Sequence, residues 1–560
     1  MSNFLDQIFA QLRRSAARIV LQELHSGHIV SVTGAELLGQ VRTARAFARR
    51  LGLQPGDRCA LLGANSIRWV ALDLAFMAEG AVVVPLYARQ APAELAAMVK
   101  DASPRLLLCA DVQAGRAVVA GLADGLSVTG FDEVFAAETG SPGAGRVDET
   151  PGPLQDSSLV TIIYTSGTSG DSKGVCLNVA NVTHMIGCTT ERLNQLIGAA
   201  SRPDQVFHYL PFNFAGSWIL LLSCLARESV LALSTDLARL AEEIPRAAPD
   251  YFLNVPTLLE RVRRGVEEKV AKQNAVIRWL YARAASAWAH GRAASGRALD
   301  GWWLLLGRVL IFRTIRARFG PNLRAIICGS APLAPETQEF FLMLGIPVLQ
   351  VYGLTETTAI CTMDDPRRPP EPGCVGPAVS GTEMRVGENE EILVRGPHIF
   401  PGYWKRPEET ARVFLDGWFR TGDQGEVNAG GNWRITGRIK NLIVLNSGHN
   451  VAPEPIEEKV LQLLPGAQQS VLVGNGRGYL CMLVTGAVGE SAVQTVLDSL
   501  NPGLPHYRQV RGFLVIPEPF TSESGLLTAN GKLRRDAIYA RFAREIEALY
   551  EKTRMESEPK

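Results

Sequence analysis

The sequence has no CxxC pair, no internal repeat, no surplus of either charge and no apolar run long enough to span a bilayer. Each absence excludes something. Nine cysteines stand singly at 59, 109, 176, 188, 224, 328, 361, 374 and 481. An odd, scattered set in a large chain argues against a disulfide framework or a zinc site, and for packed thiols in a reducing compartment. Charge is balanced, 57 Lys+Arg against 56 Asp+Glu, for a formal net charge of +1. A dedicated nucleic-acid binder would carry a basic excess, so no nucleic-acid partner is expected, and an anionic substrate has to be met by local charge. The segment MSNFLDQIFAQLRRSAARIV lacks the apolar core and small-residue cleavage site of a signal peptide. The longest uncharged stretch, 205–226, contains Pro211, Asn213 and Gly216, and the run Trp302–Phe312 is short and carries Arg308. The expectation is a soluble, cytoplasmic protein, with peripheral contact to a membrane left open. His25 and His28 lie three apart in a Gly-containing turn, with no further ligand nearby in sequence to make a metal site.

What is present is an ordinary globular composition, 46% hydrophobic and 20% charged, over 560 residues. That length exceeds what one core usually supports, so two or more domains are expected. Short apolar strands alternate with helices. DRCALL (57–62) is followed by a helix capped at Asn65 or Ser66, with Trp69, Leu72, Ala75 and Phe76 on one face, and then by the β-branched run AVVVPLY (81–87). The rhythm returns at 105–109, 159–165, 323–328 and 346–352. Such alternation predicts an α/β fold with mostly parallel sheet. Beyond about Gly381 the texture changes to short strands and Gly-rich turns, and 440–560 carries an α+β pattern of its own.

The first chemical signal is TSGTSGDSKGV (165–175), directly after the strand LVTIIY. Thr165, Ser166, Gly167, Thr168, Ser169 and Gly170 supply hydroxyls and unhindered backbone N–H groups, the materials of a phosphate nest, and Lys173 adds a point charge. The bland alternative is a polar turn. A Walker loop would need Gly before Lys173, where Ser172 stands. Downstream come ICGSAPL (327–333), VYGLTETT (351–358), WFRTGDQGEV (418–427), GRIKNLIVLNSGHNVAPEPIE (437–457) and LLTANGKLRR (526–535). Singly each says little, since a lone carboxylate such as Glu356 or Asp423 is more often solvated than catalytic. Their order and spacing together carry the information.

In these motifs the chain resembles the AMP-forming adenylating enzymes: acyl-CoA synthetases, adenylation domains and luciferases of the firefly type. The likeness runs from GDRCALLGANS near residue 56 to the lysine segment near 532. It implies a large N-terminal domain (1–439) of two α/β subdomains plus a small barrel-like subdomain, and a mobile α+β C-terminal domain (440–560) hinged near Lys440. Within the family the likeness is greatest to long-chain fatty acyl-CoA synthetases, through a helical, basic-aromatic insert before CGSAPL. In that insert Trp302, Leu305, Leu306, Val309 and Phe312 recur at helical spacing. The stripe reads as core-facing, with a surface helix meeting a membrane or acyl donor as the rival reading.

The resemblance implies a reaction and a role for each motif. A carboxylic acid, medium- or long-chain, attacks the α-phosphate of ATP to give an acyl-adenylate and pyrophosphate; a thiol of CoA or of a phosphopantetheine carrier then displaces AMP. The loop Thr165–Lys173 holds the outer phosphates. Thr355 meets the α-phosphate and Glu356 binds Mg²⁺. Gly329, Ser330, Ala331 and Tyr352 flank adenine, Asp423 and Arg438 hold the ribose, and Gly353 and the hinge residue Lys440 are also among the nucleotide-binding residues. Lys532 bridges the substrate carboxylate and the α-phosphate, and Phe212, Phe214, Trp218 and Val351 wall the acyl pocket. The sequence departs from the family pattern at Ser169 and Ser172, where Thr and Pro are usual, at His449, where Glu is common, and at Phe214, where long-chain enzymes carry His. An acyl-carrier-protein ligase and a catalytically silent binding module are the alternatives; a silent homologue would have no reason to retain Glu356, Asp423 and Lys532 together. A monomer or homodimer is expected.

Overall fold

Fully buried aliphatic runs build two parallel sheets, as their lack of alternation predicts. In the computed structural model, which describes residues 2–121, 126–136, 150–166, 172–199, 202–292, 299–521, 524–528 and 531–557, Val82–Leu86 is buried along its whole length and pairs in parallel with Arg58–Leu62 and Leu159–Ser166. These belong to a seven-stranded sheet. Ser66 caps the intervening helix Ile67–Ala78, its Oγ accepting from the Trp69 amide at 3.1 Å.

An eight-stranded sheet places the site. Its order is Thr362–Met363, Val348–Tyr352, Ala325–Cys328, Tyr251–Asn254, Asp204–His208, Ser229–Ser234, Ile19–Leu24 and Ile29–Thr33. The interior pairs are parallel and the two outermost pairs antiparallel. Parallel pairing aligns Asn254 with Cys328 and Cys328 with Gln350. The segments after Asn254, Cys328 and Tyr352 therefore leave one edge of the sheet together, where α/β folds bind their ligands.

A five-stranded antiparallel sheet, built around Glu391–Arg395 and Trp418–Val427, packs Cys361, Ile392, Val394 and Trp433 into a small core. The C-terminal segment sets three strands, Ala467–Val473, Leu480–Gly486 and Val510–Ile516, against four helices and has cores of its own. The architecture is α/β with an antiparallel subdomain and an α+β C-terminal segment, as expected.

The insert differs from expectation. Of the stripe Trp302, Leu305, Leu306, Val309 and Phe312, only Phe312 is buried and the other four are exposed. The face turned inward is Leu304, Gly307, Ile311, Phe312 and Ile315. Two features move it. A π-helical turn at Arg308–Phe312 shifts the register between Asp300–Gly307 and Arg313–Arg316. Gly307 also lies so close to helix Ala275–Arg292 that a Cβ would sit 2.6 Å from the Ala284 methyl. Both faces are apolar, so periodicity could not choose between them.

Candidate active site

Three chain segments converge at the edge of the eight-stranded sheet. Ser330 (φ +77°), Thr358 (φ +51°) and Ala359 (φ +107°) are non-glycine residues in the left-handed region, a cost that persists where the surroundings over-determine it. Gly353 explains part of this. A Cβ there would lie 2.0 Å from the Ala359 carbonyl oxygen, so Val351–Ile360 folds back on itself only with glycine at 353. That tight turn presents Thr355 and Glu356 on a single 3₁₀ turn, Thr355–Thr357. The Glu356 carbonyl accepts from the Phe400 amide at 2.9 Å, and its carboxylate accepts from the Tyr403 hydroxyl at 2.9 Å. Burial first, then the Glu356 charge, pushes the Tyr403 phenol upward.

Asp423 sits in strand Trp418–Val427 opposite Arg438 of Trp433–Arg438. The carboxylate is almost wholly removed from water. Arg438 Nε lies 2.8 Å from Oδ1, and the Tyr352 hydroxyl donates to Oδ2 at 2.9 Å. Burial pushes the Asp423 carboxyl upward, opposed by Arg438, by Tyr352 and by the Lys532 and Lys440 ammonium groups. Lys440 and Lys532 are each lowered to about 8, by burial first and then by Arg438, with Asp423 and Glu356 acting in the opposite sense. Both side chains remain exposed, yet the protein around them disfavours the charged form. Glu356, Asp423, Arg438, Lys440 and Lys532, scattered over the sequence, thus share one electrostatic neighbourhood.

Two ion pairs bring the C-terminal segment to it: Arg534 with Glu94 at 2.8 Å, and Lys459 with Glu336 at 3.3 Å. Thr165 and Lys173 are register partners at the end of the hairpin Leu159–Ser166/Ser172–Asn178. Gly167, Thr168, Ser169 and Gly170 lie outside the described residues, as does the Ser166 side chain. Lys173 is paired with Glu409, and its ammonium stands 5.5 Å from the centre of the Tyr403 ring. Tyr403 therefore connects the lysine of the loop to Glu356. Sequence reasoning passed over Tyr403 and Glu409; only the placement of Gly402–Tyr403 as a strand beside Ser172–Asn178 reveals them.

Beside this polar cluster opens an apolar cavity. Gly329, Ser330, Val351 and Gly353 line it, while Ala331 is exposed. Phe214 also lines it, fitted against Gly216, where a Cβ would meet the Phe214 ring at 3.0 Å. Phe212 and Trp218 correct the sequence reading, because they do not line this cavity. Phe212 packs on Trp69 with ring centres 5.0 Å apart, and the Trp218 indole N–H donates to the buried Asp73 at 2.9 Å. On helix Ala215–Leu225 it is Gly216, Ile219 and Leu220 that face the cavity, so Trp218 points into the core. Leu193, Leu253, Asn254, Ile360 and Met363 complete much of the wall and were missed, since apolar residues drawn from a helix, a turn and strand ends carry no sequence mark of a pocket. Asn254 is the polar exception. Its Oδ1 accepts from the Tyr209 hydroxyl and the Val255 amide, and its Nδ2 has no partner among the described residues. His449, at a departure from the family pattern, stacks on Tyr507 with ring centres 4.3 Å apart.

Residues 8–404 match the AMP-binding enzyme family, and residues 440–554 match the AMP-binding enzyme C-terminal domain. The chain belongs to the AMP-binding enzyme family. Among curated relatives of this AMP-binding enzyme, a long-chain-fatty-acid–CoA ligase, FadD15 of Mycobacterium tuberculosis, is 29% identical over 98% of this chain and 97% of its own. Long chain acyl-CoA synthetase 3 of Arabidopsis thaliana is 26% identical over 90% of this chain and 85% of its own. Among solved structures, the A domain of a carboxylic acid reductase from Segniliparus rugosus superimposes with a TM-score of 0.75 at 22% identity, covering 98% of this chain and 94% of that one.

Proposed function

We propose that this AMP-binding enzyme is an ATP-dependent, AMP-forming acyl-CoA ligase acting on a medium- or long-chain fatty acid. The observation that carries the reading is the juxtaposition of Lys532, Asp423 and Glu356 beside an apolar cavity lined by Phe214 and Val351. In this reading Asp423 accepts the ribose hydroxyls and Arg438 opposes the upward push of burial on that carboxyl. Gly329, Ser330 and Tyr352 flank adenine, and Thr355 contacts the α-phosphate. Lys173 exchanges Glu409 for the outer phosphates. Lys532 lies between the acid's carboxylate and the α-phosphate, offsetting their repulsion and the charge that grows in the in-line transition state.

Glu356 fits a magnesium ion, since one oxygen is held by Tyr403 and the other has no partner among the described residues. Mg²⁺ binds through one or two carboxylates together with phosphate oxygens, and when present it neutralises phosphate charge. The domains divide near Lys440, with 1–439 carrying the nucleotide and acyl pockets and 440–560 turning about the 3₁₀ segment Ile439–Asn441 between the two half-reactions. The names of the relatives support CoA as acceptor and a fatty acid as substrate; a phosphopantetheine carrier is the alternative acceptor. The protein is read as cytoplasmic, and as a monomer or homodimer.

The test is pyrophosphate release over saturated acids from about four to eighteen carbons, with thioester formation followed for CoA and for an acyl carrier protein. Each buried methylene contributes about 0.8 kcal/mol, or roughly fourfold in kcat/KM per carbon. A flat profile, or a preference for acetate or benzoate, removes the fatty-acid reading. Thioester formed only on the carrier removes CoA.

A further inference from the structure

Asn254 brings a rigidly held amide to the wall of the apolar cavity. It ends strand Tyr251–Asn254, lines the cavity and is only 1% exposed. Its backbone carbonyl accepts from the Gly329 amide at 3.3 Å, which ties the residue to the end of the neighbouring strand Ala325–Cys328. The side-chain amide has one orientation. A backbone N–H can only donate, and that of Val255 lies 2.7 Å from Oδ1, so the oxygen faces Val255 and the amide cannot be flipped. The Tyr209 hydroxyl donates to the same oxygen. Burial pushes the Tyr209 phenol up, so it keeps that proton. With Oδ1 doubly engaged, Nδ2 is turned away from both donors and has no partner among the described residues. Thr189 lines the same cavity, and its buried hydroxyl is likewise unpartnered among the described residues.

A buried amide N–H left unpaired is destabilising, and folded proteins pair nearly all of them. A plain alkyl chain filling the cavity strips water from Nδ2 and offers no acceptor in exchange. A chain with an oxygen at that level accepts from it. Elsewhere the wall makes the opposite demand. Leu193, Ile219, Leu253 and Ile360 line it, and an oxygen set against such side chains loses its water without replacement. The cavity thus favours oxygen at one position along the chain and disfavours it at the others.

We infer that Asn254 is a specificity-determining residue, and that the preferred acid carries a keto or hydroxyl oxygen part-way along its chain, held by the Nδ2 N–H. The inference rests on the fatty-acid reading above and narrows it to an oxygenated acid. Because the amide is fixed by Tyr209, Val255 and the adjoining strand, the donor is in place before substrate arrives.

The experiment is pyrophosphate release with saturated acids of about eight to sixteen carbons, each compared with keto acids of the same length in which the oxo group moves one carbon at a time. At one position the keto acid is expected to exceed its saturated parent about tenfold in kcat/KM, and at the others to fall below it. Asn254→Asp keeps an oxygen for Tyr209 and Val255 but puts an acceptor in place of the donor, and Asn254→Leu removes both. In each variant the favoured position is lost. The ratio is taken within one protein, so a general loss of rate or stability cancels, and the wild-type scan decides the matter even where a variant fails to fold. A wild type that prefers the saturated parent at every oxo position overturns the inference while leaving the fatty-acid reading in place. No release with any acid of either series removes both. A favoured position that survives in Asn254→Leu overturns the role of Asn254. So does an Asn254→Leu that raises the KM for ATP and leaves the acid preference intact, which assigns the amide to the nucleotide.

Discussion

Asp423 and Arg438 face each other across one antiparallel ladder, Oδ1 and Nε 2.8 Å apart, at a carboxylate that water scarcely reaches. The pairing holds a buried charge where a ribose could use it. Asp423→Asn keeps the shape and removes the charge. Hydrogen bonds to charged groups contribute about 1.5–3 kcal/mol, so the KM for ATP is expected to rise about tenfold to a hundredfold. A KM within about twofold of wild type would contradict the ribose role.

The pH profile of adenylation follows from Lys532. Burial lowers this lysine to about 8, so it is charged below that pH and loses its proton as pH rises through it. Pyrophosphate release is expected to fall along a limb centred near 8, whereas a lysine at its ordinary value of about 10.4 would hold the rate flat well past that. In Arg438→Gln the guanidinium that opposes Lys532 is gone, and the limb moves to higher pH whatever its height. A limb that stays in place would show that Arg438 does not act on Lys532.

Phe214 lines the cavity where the family pattern carries His. Phe214→Ala removes a wall, so the preferred acid is expected to lengthen while the KM for ATP holds. A competition assay between saturated acids of different length reads this directly. An unchanged optimum would place the substrate chain elsewhere.

Lys440 lies on a single 3₁₀ turn, Ile439–Asn441, the hinge proposed above. Lys440→Pro fixes φ near −65° and is expected to spare adenylation while lowering thioester formation. Lys440→Gln, which keeps the backbone free, separates the torsion from the charge. Equal losses in both half-reactions of the Pro variant would move the hinge elsewhere.

The α/β layers were legible in the sequence because buried parallel strands read as unbroken aliphatic runs, and Val82–Leu86 and Ala325–Cys328 fall inside the segments expected. The polar cluster was legible only through the order of its motifs, since nothing local distinguishes Asp423 or Lys532 from a solvated residue. Tyr403, Asn254 and the aliphatic wall were not legible, because they become a site only through register across strands distant in sequence. The Trp302 stripe was misread because helical spacing groups residues on a face without saying which face meets the core, and Trp218 because motif likeness does not say which way a side chain on helix Ala215–Leu225 points.

The central claim is that Lys532 serves the first half-reaction from the C-terminal segment. The most direct measurement is Lys532→Ala assayed in two parts: pyrophosphate release from ATP and a fatty acid, and thioester formation from preformed acyl-adenylate and CoA. Loss of one preorganised charge is expected to slow the first by roughly 10²–10³ and to leave the second near wild type. Pyrophosphate release at close to the wild-type rate would contradict the account.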